Sequence, residues 1–117
     1  MTSQPMTTVM GTHGVHIFKC SRTEYLEAAY IGEIRRYLSY LMKTQPKVRV
    51  VLDLAEAVLL SSEAIGLIVA LSNVLQVAGG GLHLANISED TASVLAIANL
   101  QDVLSMYNSV DDAISGF

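Results

Sequence analysis

The stretch "VRVVLDLAEAVLLSSEAIGLIVALSNVLQVAGGG", residues 48–81, decides the fold. Its first seven residues are a run rich in valine bounded by polar residues, which reads as a central strand buried on both faces. Then the period changes. Residues 63–78 are helical by length and composition, and three glycines at 79–81 supply a C-terminal stop. Between strand and helix lie Ser61 and Ser62, two adjacent hydroxyls at the point where the helix opens. A serine there caps the helix, which is worth about 1 kcal/mol over alanine. A helix start also accommodates a phosphate group, because backbone N–H groups point outward from it. Local position leaves both readings open.

Working outward, "VHIFKCS" at 15–21 alternates loosely and reads as a strand. A short strand in "TEYL" precedes a helix in which Ile31, Ile34, Leu38 and Leu41 recur at helical spacing, while Glu33, Arg35 and Arg36 fall elsewhere. Pro46 ends it. On the other side, "LHLANI" is a strand, and Ser88 with Glu89 and Asp90 is an N-cap with acids in the first turn of a helix. "VLSMY" reads as a last strand, and Ser109 with Asp112 has capping-box-like spacing for a last short helix. Strands alternating with helices predict an α/β fold, a small, mostly parallel sheet flanked by α-helices. The expected core is Val50, Leu52, Leu54, Ile65, Ile68, Leu71 and Leu75. Residues 1–12, polar with Pro5 and Gly11, read as a flexible tail, and 13–117 as one domain.

Charged residues are 15% of the chain against about 25% in a typical domain, so some apolar surface is expected to remain exposed for a partner. The helix after Ser62 is apolar nearly all round, so part of it is expected to stay uncovered. A net charge of −4 with one adjacent cation pair, Arg35–Arg36, argues against nucleic acid. A lone Cys20 suits a reducing compartment. The N-terminus lacks a basic start and an apolar signal core, and no apolar run reaches the roughly 20 residues that span a bilayer. The expectation is a cytoplasmic protein with no membrane insertion. The serines lack the glycines of a nucleophile elbow, and His13, His16 and His83 read as rim residues. The glycines at 79–81 lack the Gly-Lys-Ser/Thr ending of a phosphate loop. No catalytic residue, cofactor or metal is expected.

"VVLDLAEAVLLSSEAIGLIVAL", residues 50–71, resembles the signature of STAS domains, the anti-sigma factor antagonist (anti-anti-sigma factor) family. There a strand ends in Asp-Leu, a short loop follows, and Asp-Ser-x-Gly-Leu opens a helix. Counted from Asp53-Leu54, Ser61 falls at the usual Asp, Ser62 at the phosphoacceptor, Glu63 at the variable position, Ala64 at the usual Gly and Ile65 at the usual Leu. Glu27 stands where the family's first helix often has Asp, and Asn99-Leu100 stands at a Gly-Leu step. The resemblance implies a STAS fold and a partner switch without a cofactor of its own. The unphosphorylated domain binds a GHKL-type anti-sigma kinase, which phosphorylates Ser62, with Ser61 as second candidate, and a PP2C-type phosphatase resets it. Glu27, Ser61, Glu63, Ala64, Ile65, Gly66 and Val69 are the implied partner surface. The alternative is a non-switching STAS module, a ligand-binding or scaffold subunit in a stress-signalling assembly or lipid-transport complex. The oligomeric state stays open.

Overall fold

A computed structural model describes residues 6–10, 14–20, 23–26, 28–55, 57–60, 62–100 and 102–117. The elements run β1 (Met6–Met10), β2 (His16–Cys20), β3 (Thr23–Leu26), α1 (Ala28–Leu41), β4 (Arg49–Asp53), β5 (Ala57–Leu60), α2 (Ser62–Val77), β6 (Gly81–Ala85), α3 (Glu89–Ile97), β7 (Ser105–Tyr107) and α4 (Val110–Ser115). Five strands form one sheet in the order β1-β2-β4-β6-β7. β1 is antiparallel to β2, and the other neighbours are parallel. The expected small, mostly parallel α/β sheet is the fold.

β4 is the middle strand, and Val50 to Asp53 are all buried. Alternation then sends its side chains to two different layers. Val50 and Leu52, in register with Leu82 and Leu84 of β6, join the large core beneath α1, α2 and α3. Val51 and Ala85 face the other way and meet Ala113 of α4. The helical periodicity of α1 holds residue by residue. Ile31, Ile34, Leu38 and Leu41 are buried, while Glu33, Arg35 and Arg36 are exposed. Of the expected core, six residues are buried; Ile65 is half-buried and packs at the core margin.

The loop chemistry explains where elements stop. After α2, Gly79 takes φ +90°, its N–H donates to Gln76 O at 3.0 Å, and the Gly80 N–H donates to Leu75 O at 2.8 Å. That pair of bonds is a Schellman cap. Gly80 is needed for a second reason: a Cβ there would clash with the Val48 carbonyl oxygen. α3 closes in the same way with Asn99 at φ 60°, its N–H to Ala96 O and the Leu100 N–H to Leu95 O. Asn tolerates the left-handed region better than most residues do. Both expected N-caps form: Ser88 Oγ accepts from the Thr91 N–H, and Ser109 Oγ from the Asp112 N–H, each at 3.1 Å.

Four expectations need correction. Helix α1 stops at Leu41, five residues before Pro46, and residues 42–44 are a turn. Residues 6–10 of the expected tail form β1, an edge strand held by pairing Met6 with Cys20 through Met10 with His16. Its other residues, 1–5 and 11–12, lie outside the described ones. Ala57–Leu60, expected as loop, is β5, which pairs in parallel with β3 as a separate two-stranded ribbon. The histidines at 16 and 83 are buried rather than at the rim, because each has a polar partner inside. His16 Nε2 lies 3.4 Å from Gln45 Oε1, and His83 Nδ1–H donates to Ala113 O at 2.8 Å. His13 falls outside the described residues.

Candidate functional site: the start of helix α2

The ribbon β3–β5 positions the site. Leu26 pairs with Leu60, and each is followed two residues later by the first residue of a helix, Ala28 of α1 and Ser62 of α2. Two parallel strands in register thus deliver two helix starts at equivalent points, and α1 packs against α2. The positive ends of two helix dipoles lie on the same side of the molecule.

A polar latch holds the strand ends beneath. Asp53 Oδ1 accepts from the Ala55 N–H at 3.1 Å and from Asn86 Nδ2 at 3.0 Å. The first bond turns the chain out of β4, and the second ties it to the end of β6, where Asn86 sits at φ 59°. The Leu54 N–H to Ala85 O bond, at 3.0 Å, continues the ladder one residue beyond the strands. The Asp53-Leu54 pair therefore anchors the segment that leads to β5 and α2. Sequence inspection marks Asp53 only by its motif position; its partner Asn86 lies 33 residues away and leaves no local signal.

Ser62 is exposed and is the first residue inside α2. Glu63 and Gly66 are exposed, and Ile65 and Val69 are half-buried. Ala64 is a correction: it is 0% exposed and packs in the core with Ile68, so its side chain is no part of a partner surface. A helix repeat of 3.6 residues turns position 64 inward with 68, 71 and 75. Ser61 and Glu27 lie outside the described residues. Apolar exposure on α2 is greatest not at its first turn but at its end, where Val74 is 53% and Val77 89% exposed.

Between the C-terminal half of α2 and the starts of β6 and β7 is a polar cavity of about 400 Å³. Ser72, Gln76 and His83 line it. The His83 ring stacks on Phe117 at 3.7 Å and leans against Tyr107 at 4.9 Å. Burial lowers its pKa from the usual 6.5, and the hydrogen bond to Ala113 offsets part of that. Among the described residues no group of three or more His, Cys, Asp or Glu is placed to hold a metal ion. Nor is any helix among them long and apolar enough to cross a membrane.

The architecture is a mostly parallel α/β sheet with helices on two faces and an exposed serine opening α2. The chain belongs to the STAS domain family, which matches residues 8–113. Solved structures share the fold. An anti-sigma-factor antagonist (STAS) domain protein from Planctomyces limnophilus aligns with TM-score 0.80 at 17% identity, covering 95% of this chain and 96% of that one. The anti-sigma factor antagonist SpoIIAA in its unphosphorylated form aligns at 0.76 and 17% identity over 95% and 94% of the two chains. The phosphorylated form of SpoIIAA, a Bacillus cell fate determinant, aligns at 0.70 and 17% identity over 95% and 97%. No curated protein sequence matches the chain.

Proposed function

We propose that this chain is an anti-sigma factor antagonist-like switch, acting in the cytoplasm by reversible protein binding rather than by catalysis. In its unphosphorylated form it binds a GHKL-type kinase that doubles as an anti-sigma factor, through Ser62, Glu63, Ile65, Gly66 and Val69. The kinase phosphorylates Ser62, the complex separates, and a PP2C-type phosphatase restores the binding form. The observation that carries this reading is the exposure of Ser62 as the first residue of α2 in a STAS domain. A phosphate there lies at the positive end of the helix dipole, so it is accommodated without refolding. It adds about −1.5 to −2 charge beside Glu63, which repels an acidic or apolar partner surface. The two solved forms of SpoIIAA support the analogy, since that relative exists with and without phosphate.

The test is incubation with a GHKL-type kinase from the same genome and ATP, with phosphate mapped by mass spectrometry. Phosphate on Ser62 is the expected result. Ser62→Ala folds, binds the kinase and takes no phosphate, while Ser62→Asp folds but binds about tenfold more weakly, some 1.4 kcal/mol. If Ser62→Asp binds as tightly as the natural chain and phosphate maps elsewhere, the serine serves the helix start alone. The scaffold reading then replaces the switch.

A further inference from the structure

The outer face of the helical layer carries a groove that the switch at Ser62 does not use. It runs between α1 and α2, encloses about 260 Å³, and has Leu38, Leu67 and Leu71 along its floor. Arg35 stands near one end, and Met42 and the half-uncovered Val74 at the other. A second, adjoining hollow shares Arg35, Ser39 and Leu67 with it and adds Arg36. These two arginines are the only adjacent cations in a chain of net charge −4. Neither is in an ion pair among the described residues. Glu33 lies on the same helix, two residues before Arg35.

The complement of this groove is present on the same chain. Helix α3 buries Thr91 and Leu95, and turns Asp90, Val94 and Ile97 outward at i, i+4 and i+7. Glu89 and Asp90 are exposed at its start; Val94 is 46% and Ile97 83% exposed towards its end. Isolated exposed apolar residues need no explanation, but an acidic end followed by an apolar end on one helical stripe is a pattern. The spacing also agrees. From Arg35 in α1 to Met42, one residue past its end, is seven residues, and from Asp90 to Ile97 in α3 is seven residues, each about 10 Å at helical rise. Laid parallel to α1, α3 puts its acids at the arginines and its apolar end at Met42 and Val74.

We infer that the groove between α1 and α2 receives helix α3 of a second copy of this chain. Groove and helix are different surfaces, so the contact is head-to-tail and closes into a ring or extends into a chain. One short helix in one groove is a small interface, so the association is weak and concentration-dependent, weaker than about 1 μM.

The test is sedimentation of the full chain from about 10 μM to about 1 mM, with circular dichroism as the check on folding. Association with rising concentration is expected. A first variant combines Arg35→Glu with Arg36→Glu, and a second combines Glu89→Lys with Asp90→Lys; each alone weakens self-association by more than about tenfold. Mixing the two restores it, because each groove then meets a helix of opposite charge. Lysines in the first turn of α3 also oppose its dipole, so Ile97→Ser supplies an independent loss at an exposed position. A chain that stays monomeric at about 1 mM overturns the inference. So does association that the reversals leave unchanged, or reversed variants that fail to complement.

Discussion

The two faces of the central sheet are covered very differently. One face lies beneath α1, α2 and α3 and holds Leu52, Leu84, Ile68, Leu75 and the rest of the large core. The other has a six-residue helix, α4, over a buried set of Val15, Val51, Ala85 and Ala113. The thick face is apolar and continuous, so its stability rests on burial and packing. The thin face needs polar and aromatic ties: the His83 bond to Ala113, the stack on Phe117 and the Ser109 cap. Alternation along β4 and β6 connects them, since neighbouring residues of one strand serve opposite layers.

Truncation should cost far more beneath the three helices than beneath α4. Leu52→Ala, at a residue 0% exposed in the thick layer, should cost about 2–5 kcal/mol in denaturant titration. Ser109→Ala on the thin face should cost about 1 kcal/mol and show first as faster amide exchange in α4. A loss there as large as that of Leu52→Ala would mean that α4 carries as much of the fold as the three-helix layer.

A smaller effect is expected from pH, and it falls on the thin face. Burial holds the His83 pKa below the unfolded value of 6.5. The unfolded chain therefore takes up its proton first as the solution is acidified. The stability that His83 contributes is present above pH 6.5 and is lost as pH falls from there through the lowered folded pKa. Exchange in α4 should rise on acidification before exchange in α1 and α2 does, and His83→Gln should flatten that dependence. Equal acid sensitivity of both layers would remove His83 as its source.

Elements whose signals are local were legible from the residues alone. The buried face of α1 follows its 3.6-residue repeat, and the caps at Ser88 and Ser109 follow from a hydroxyl three residues before a helical N–H. The motif at 50–71 located Ser62 at a helix start, although it placed Ala64 at the surface. β1 and β5 were missed because strands of five and four residues owe their form to partners: β2 follows β1 closely, but β3 is over thirty residues from β5. The histidines were misplaced for a related reason. An imidazole looks like a surface group until a distant carbonyl such as Ala113 O is brought to it.

From the residues alone came the caps of α3 and α4, the apolar face of α1, and the central place of β4. Those outcomes depend on side chains a few residues apart, whose geometry a helix or strand dictates. Only the tertiary structure decided that Asp53 is tied to Asn86 and that Ala64 is inside while Val77 is outside. It alone set Arg35 beside a groove between two helices. Such placements depend on which distant segments share a layer, and the sheet order β1-β2-β4-β6-β7 sets that through pairings between strands far apart in the chain.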